Sequence, residues 1–395
     1  MTRILVFSPY EPPADGIARH TARLVAAWDA AGHSVLVVSP GKSTRSENSE
    51  TIGRHSKVAR TLGVVPRRRT WRDLVEFEPE MVFVQFAVSA LSVNYWSVRR
   101  LCQKFKALRV PVVVAFHEPA REYDLLGPVT HQMYRSMARV TSVPIAFSLA
   151  GAETLVASGL FRTVVEVPHG TTGVAPITEA DVERVRERYG LRTSLVLALG
   201  FTSADKGTDV LIDAARDIAQ RRSGAVQFVI AGSPRRRRGI FKMMGRRDAV
   251  CQRRLVSQAG QITDVDIAFY GFVADEDVAA LLHSADVVAL PYRKITQSGI
   301  ANLALSSRSV IVASDLPGLR SDLGDAAIYV AVGDPRALAD EIAGLLDDSA
   351  LALRHEMRER AGDRALTNTY EKVAERILSA VRDEGAPKDP RELRP

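Results

Sequence analysis

Short apolar runs that alternate with stretches of helical periodicity constrain this chain most, because the alternation starts twice. Ile4 to Phe7 is a continuous apolar run of the kind a strand buried on both faces needs, and Ser8 to Gly16 forms a Pro- and Gly-rich turn after it. Ile17, Thr21, Leu24, Val25 and Trp28 then recur at helical spacing until Gly32 supplies a stop, and Ser34 to Val38 reads as a second strand. That order is a βαβ unit. Met81 to Phe86, Val110 to Phe116, Pro144 to Phe147 and Val164 to Val167 continue the strands, with helical stretches over Leu91 to Ala107 and near Val129 to Val140. The series restarts with the strand Leu195 to Leu199, the turn Gly200 to Gly207 and a helix face of Val210, Leu211, Ala214 and Ile218. Strands follow at Gln227 to Ala231, Ile267 to Tyr270, Val287 to Leu290 and Val310 to Ala313, and helices near Asp275 to Ser284, Ser298 to Ser306 and Pro335 to Asp347. Regular alternation of this kind predicts α/β architecture with two doubly wound parallel sheets.

Gly170, Gly173 and Pro176 mark Gly170 to Ile177 as a linker. The boundaries are therefore an N-terminal Rossmann-like domain over 1–172, a C-terminal Rossmann-like domain over 173–372, and a C-terminal helix with a disordered tail over 373–395. Gly41 to Arg69 carries no readable pattern. An apolar share of 46% is enough for two proper cores and excludes disorder of the bulk chain. The only cysteines, Cys102 and Cys251, lie far apart without metal-ligand spacing, which excludes a disulfide framework or zinc site and points to a reducing compartment. The run Ile4 to Phe7 is too short for a signal sequence, and no run approaches the ~18 apolar residues of a membrane span. A cytoplasmic protein is expected, with peripheral contact at the inner face of the membrane left open.

The net charge of +7 is uneven. Arg235 to Arg254 holds nine cations against the single acid Asp248, and the rest of the chain carries 44 basic and 45 acidic residues. A nearly neutral body with one cationic loop does not fit a nucleic-acid binder. Two readings of the loop stand: attraction to anionic lipid or a phosphorylated, lipid-linked acceptor, with Phe241, Met243 and Met244 among the cations, or a solvated loop in an arginine-rich chain.

Ligands of doubly wound sheets sit beyond the carboxyl ends of the strands, so polar groups there are the candidates. The first domain offers Asp15, Gly16, Arg19 and His20 after its first strand, and His117 with Glu118 after Phe116. The second offers Thr202 to Gly207, Gly232 with Ser233, and Gln297, Ser298 and Gly299 at a helix start. Gly16 removes a β-carbon just before a helix, so an anion can approach the positive helix end; an ordinary turn explains it equally. Lys206 with Gly207 puts a cation beside a helix start, and Ser298-Gly299-Ile300 pairs an N-cap hydroxyl with exposed amides; both suit a diphosphate or a plain turn and cap. His117 suits a substrate hydrogen bond or titration near neutrality, or simply closes its strand, while His169 reads as a turn residue. Asp264 and Asp266 lack further metal-ligand spacing and read as solvated acids. No P-loop, GxGxxG or GxSxG pattern occurs, which disfavours ATPases, dinucleotide dehydrogenases and α/β-hydrolases.

These residues resemble the retaining nucleotide-sugar glycosyltransferases of the GT-B fold, family GT4 (glycosyl transferases group 1). The likeness is carried by the stretch Gly200 to Ala214, by Val229 to Pro234, Phe269 to Val273 and Ser284 to Arg293, and by the segment from Gln297 through Asp334. In the first half, Asp15 to His20, His117 and Val167 to Gly170 look like the family's glycine loop, sugar-contacting histidine and domain junction. The resemblance implies two domains facing across a cleft, the first binding acceptor and the second the nucleotide-sugar donor. It implies transfer of a sugar with retention to a glycan, lipid-linked or small-molecule acceptor, with no metal and no bound cofactor beyond the donor co-substrate. Gly16, Lys206, Ser298, Gly299 and Ile300 would lie at the donor diphosphate, and Phe272 and Val273 at the nucleobase. Thr202, Gly232 and Gln297 complete the donor set, and His117 and Lys206 would carry the catalytic work. Two departures stand out: Phe201 replaces the family's arginine, and Ile295 and Leu303 replace its two glutamates. The alternative is a degenerate member acting as a non-enzymatic partner.

Overall fold

A computed structural model describes residues 1–11, 16–40, 49–62, 68–91, 94–119, 122, 127–192, 194–221, 226–234, 242–262, 264–295 and 298–385. The chain divides into two compact units, Met1–Gly170 with Tyr370–Pro395, and Thr171–Thr369.

The first unit is built on strands β1 (Arg3–Phe7), β2 (Ser34–Pro40), β3 (Ser49–Thr51), β4 (Ser56–Leu62), β5 (Met81–Phe86), β6 (Val112–Phe116), β7 (Val143–Ala146) and β8 (Val165–Glu166). They form one sheet in the order β3-β4-β2-β1-β5-β6-β7-β8. All pairs are parallel except β3 with β4. Helices α1 (Gly16–Ala30), α2 (Arg68–Glu76), α3 (Val88–Leu91), α4 (Tyr95–Ala107), α5 (Pro128–Ala138) and α6 (Leu149–Ala157) connect the strands. The strands lie between two apolar layers, so β5 and β6 are buried at every residue, Gln85 of β5 included. Within Gly41 to Arg69, where no pattern is readable, the structure has β3, β4 and the start of α2. β4, Ser56–Leu62, places Lys57 and Arg60 beside Val58 and Ala59, and this mixture hides the strand from a search for apolar runs.

The second unit contains α7 (Glu179–Arg188), β9 (Leu195–Leu199), α8 (Thr208–Arg221), β10 (Gln227–Ala231), α9 (Lys242–Ala259), β11 (Asp266–Tyr270), α10 (Asp275–Ser284) and β12 (Val287–Leu290). It continues with α11 (Gly299–Ser306), β13 (Ile311–Ser314), α12 (Pro317–Leu323), β14 (Ala327–Val330), α13 (Pro335–Leu345) and α14 (Leu351–Thr367). Its sheet is parallel throughout, in the order β11-β10-β9-β12-β13-β14. The cationic run does not form one loop. Residues 235–241 lie outside the described residues, and from Lys242 onward the run is helical in α9.

The last helix, α15 (Tyr370–Gly385), belongs to the first unit. Val373, Ala374, Ile377 and Leu378 bury into the same core as Leu24 and Trp28 of α1, and Trp28 Nε1 donates to the Ala374 carbonyl at 3.2 Å. Among the described residues, no helix is long and apolar enough to cross a membrane.

Candidate functional site

In each unit the first strand has neighbours reached by opposite crossovers, β2 and β5 beside β1 and β10 and β12 beside β9. Doubly wound sheets open a crevice for ligands at that switch point, beyond the carboxyl ends of the strands.

In the second unit the crevice gathers most of the sequence's donor candidates. Gly200 ends β9 at φ +130°, and a β-carbon on it would stand 3.3 Å from Ile300 Cγ1, so the turn after β9 touches the first turn of α11. Gly207 and Gly232 are needed for close backbone packing: a β-carbon would fall 1.8 Å from the Pro291 carbonyl oxygen at Gly207 and 1.8 Å from that of Gly200 at Gly232. Gly299 differs, since no heavy atom lies within 4 Å of where its β-carbon would be. Lys206 Nζ sits 3.6 Å from the centroid of the Tyr292 ring, and Tyr292 is buried. Arg293 grips Asp209 through two bonds of 2.5 and 2.7 Å, and its amide donates to the Asp205 carbonyl at 2.8 Å. These contacts fix the Lys206 turn against the segment leading to α11.

At the start of α11, Ser298 is the N-cap and its Oγ accepts from the Ala301 amide at 3.1 Å. The Ser298 amide donates to Asp322 Oδ2 at 3.2 Å, so of the proposed anion-binding amides this one already has an acceptor. The amides of Gly299 and Ile300 belong to the helix's first turn, where no intrahelical acceptor exists. Although Asp322 as a residue is only half-buried, its carboxyl is enclosed. Burial raises its pKa to about 7, against the pull of the Ser298 amide and the Arg364 guanidinium. Thr202 is buried and its amide donates to the Ser233 carbonyl at 3.3 Å. Phe272 is 76% exposed just beyond β11, whereas the Val273 side chain is packed into the core. Gln297 lies outside the described residues. Ile295 and Leu303 pack against the apolar core, Phe201 is half exposed, and the buried Asn302 Nδ2 has no partner among the described residues. Asp266 accepts from Gln227 Nε2 at 3.0 Å, and no group of three or more His, Cys, Asp or Glu among the described residues could hold a metal ion.

In the first unit the crevice is lined by imidazoles. Gly16 opens α1 with no heavy atom within 4 Å of its β-carbon position, while Asp15 lies outside the described residues. His117 continues β6: its amide donates to the Phe86 carbonyl at 3.0 Å and its Nε2 lies 2.5 Å from Gln85 Oε1. The His20 ring stands 5.7 Å from that of His117 and 4.4 Å from that of His169, and Phe147 and Tyr370 pack against the same group. Burial holds His117 down at about 3, His169 at about 4, and His20 well below the ordinary histidine value. This corrects the expectation that His117 titrates near neutrality: with water removed, its charged form is too costly. His169 lies in the irregular backbone after β8, half-buried, with its ring tilted against that of His20.

Sequence reasoning missed Gln85, Tyr292, Asp322 and Tyr370. Gln85 had a signal, as the one polar side chain in the strand Met-Val-Phe-Val-Gln-Phe. Tyr370 had none, because only the fold brings α15 back to Gly170, where a β-carbon would meet the Tyr370 ring at 2.6 Å.

Residues 14–171 match the family described as Glycosyltransferase Family 4, and residues 193–348 match Glycosyl transferases group 1. An α-D-kanosaminyltransferase of Streptomyces kanamyceticus is 32% identical over 192 residues, 48% of this chain and 44% of that protein, so the match spans less than half of that relative's length. A phosphatidyl-myo-inositol mannosyltransferase of Mycobacterium leprae is 27% identical over 372 residues, 89% of this chain and 90% of the relative. Among solved structures, Anabaena HepE in complex with UDP-glucose superposes with a TM-score of 0.66 at 17% identity, over 97% of this chain and 100% of that one.

Proposed function

We infer the activity from one premise: this chain belongs to the family 4 glycosyltransferases of the GT-B fold. It transfers a glycosyl group from a nucleoside diphosphate sugar to a glycan, lipid-linked or small-molecule acceptor, with retention and without a metal ion. One observation carries the reading: the Lys206 turn packs on Pro291, Tyr292 and Arg293, and Gly200 at the start of the same turn meets Ile300 in the first turn of α11, where Gly299 faces open space. A cation and a helix start suit the two negative charges of a diphosphate. The same groups stabilise charge that grows on the leaving nucleoside diphosphate as the glycosidic bond breaks, supplying the positive charge that a divalent ion brings elsewhere. Phe272, exposed beyond β11, is assigned to stacking on a nucleobase. In the first unit His117, neutral and oriented by Gln85, is assigned to a hydroxyl of the transferred sugar. UDP-glucose in HepE and a phosphatidylinositol acceptor in the mannosyltransferase support these classes of donor and acceptor. The cationic run Arg235 to Arg254 is assigned to an anionic membrane or a phosphorylated acceptor.

The test is calorimetry and donor hydrolysis with a panel of nucleotide sugars, followed by NMR of the product's anomeric configuration and assays in EDTA. Binding, turnover that survives EDTA and a retained configuration are expected; absence of binding to every donor at millimolar concentration sinks the reading. Apolar packing of Ile295 and Leu303 favours one rival, a non-catalytic partner that keeps the fold. Binding of a donor with no turnover against any acceptor would favour it.

A further inference from the structure

β5 carries one polar side chain, Gln85, and the pairing of the sheet decides what it meets. β5 and β6 run parallel with Gln85 opposite Ala115 and Phe86 opposite Phe116. Successive side chains point to opposite faces, so Gln85 shares a face with Met81 and Phe83, and His117 shares that face with Val113 and Ala115. Ala115 is small, which leaves room for Gln85 to reach diagonally to His117, two residues further on. A buried amide is costly unless its hydrogen-bonding groups are used. Gln85 is fully buried and uses one of them: its Oε1 lies 2.5 Å from His117 Nε2, while its Nε2 has no partner among the described residues. Methionine or leucine would fill a similar volume without burying an unpaired donor. Packing alone therefore does not account for a glutamine at this place.

The bond has a sense. An amide oxygen only accepts, so the proton between the two side chains belongs to the imidazole. Burial keeps His117 neutral, and a neutral imidazole carries a single N–H. With that N–H on Nε2 and donating to Gln85 Oε1, Nδ1 keeps its lone pair and has no proton to give. The other groups around the ring leave this unchanged. Phe147 packs on it at 4.8 Å and His20 meets it edge to face at 5.7 Å, centroid to centroid. His169, whose charge would repel that of His117, is itself held neutral by burial.

We propose that Gln85 is a positioning residue that locks His117 in its Nε2–H tautomer, so that Nδ1 is a pure acceptor and selects a transferred sugar whose hydroxyl donates to it. The proposal rests on the assignment of His117 to the transferred sugar and adds a selection rule to it. A sugar that is deoxy at the facing carbon, or that bears fluorine or an ether there, has no proton to offer and leaves the buried acceptor unpaired. Sites built to bond a hydroxyl reject analogues that lack it.

The tautomer can be read directly. In the ligand-free full chain with isotope-labelled histidine, proton–nitrogen correlation spectra at neutral pH tell a protonated ring nitrogen from a bare one, and the His117 signals are those missing from His117→Asn. A protonated Nε2 and a bare Nδ1 are expected; a proton on Nδ1 overturns the proposal without any variant of Gln85. Gln85→Met keeps the reach and removes the acceptor, so His117 should then populate both tautomers. Gln85→Glu keeps an acceptor in the same place and should keep the proton on Nε2, which guards against misfolding of the methionine variant. The selection rule is read by calorimetry with UDP-glucose, or the panel donor that binds, and its analogues fluorinated at each hydroxyl-bearing sugar carbon in turn. One analogue should bind about tenfold more weakly than its parent, and that gap should close in Gln85→Met while the nucleoside diphosphate alone binds as before. Equal binding of every analogue, or a gap that Gln85→Met leaves unchanged, overturns the proposal. Failure of the underlying reading looks different: no nucleotide sugar binds the wild-type chain, which overturns the selection of a sugar while the spectra still confirm the tautomer.

Discussion

At the carboxyl edge of the first unit's sheet the polar groups are imidazoles stripped of water, whereas at the same edge of the second unit they are a lysine, a helix start and a carboxyl group. Burial keeps His20, His117 and His169 neutral, which suits hydrogen bonds to uncharged hydroxyls and disfavours phosphate. The second unit has a lysine on the Tyr292 ring and the first-turn amides of α11 at this edge, and Asp322 accepts from the Ser298 amide there. The glycines of the two edges sharpen the contrast. Gly16 and Gly299 face open space, and Gly207 and Gly232 are pressed against carbonyl oxygens, so the same residue type leaves room in one case and allows close packing in the other.

Alanine at these four positions gives the largest effects and the clearest way to break the distinction. Gly207→Ala and Gly232→Ala combine a left-handed or otherwise restricted φ with a 1.8 Å clash, and each should cost about 3 kcal/mol or more, read as a fall in the second unit's unfolding midpoint. Gly16→Ala and Gly299→Ala should leave the midpoint within about 1 kcal/mol and weaken nucleotide-sugar binding instead. Unchanged donor affinity in both would mean that the open spaces do not receive the ligand.

Lys206→Ala comes next. A charged hydrogen bond is worth roughly 1.5 to 3 kcal/mol, so donor affinity measured by calorimetry should fall about ten- to a hundredfold. The contact with Tyr292 contributes only about 0.5 to 1 kcal/mol to stability, so melting should change little. Equal loss of stability and affinity would make Lys206 a packing residue and merge the two classes.

How much of this was legible in the sequence depends on whether the signal is local. The strands β1, β5, β9, β10 and β12 are almost wholly apolar runs, and Ser298 before Gly299 announces a helix start, so the parallel parts of both sheets and the turns of the second unit could be read directly. β4 was hidden because Lys57 and Arg60 stand among its apolar residues. The return of α15 to α1 was hidden because nothing in Tyr370–Gly385 names the surface its apolar stripe will cover. The buried state of His117 could not be read either, since His20 and His169 reach it from sequence positions about a hundred and fifty residues apart. Asp322 gave no sign of meeting Ser298, because that bond joins the helices after two different strands.

The smallest effect is a difference in the pH dependence of the two units. His117 titrates at about 3 and His169 at about 4 in the folded chain, against an ordinary value near 6.5, so the unfolded chain takes up protons first as the pH falls. Their contribution to the first unit is complete above about 6.5 and is lost as the pH falls toward 4 and 3. Asp322 behaves in the opposite sense: its folded value of about 7 lies above the ordinary 3.8, so its contribution is complete below the ordinary value and is lost as the pH rises through about 7. Between about pH 4 and 7 the two slopes therefore have opposite signs, with an upper bound of about 1.4 kcal/mol per pH unit for each titrating group. The slope in the second unit is the shallower, because one carboxyl titrates there against several buried imidazoles in the first. Hydrogen exchange followed separately at β6 and at α12 reads the two slopes, and Asp322→Asn should flatten only the second. Slopes of the same sign, or a second unit unaffected by Asp322→Asn, would show that the two edges handle charge alike.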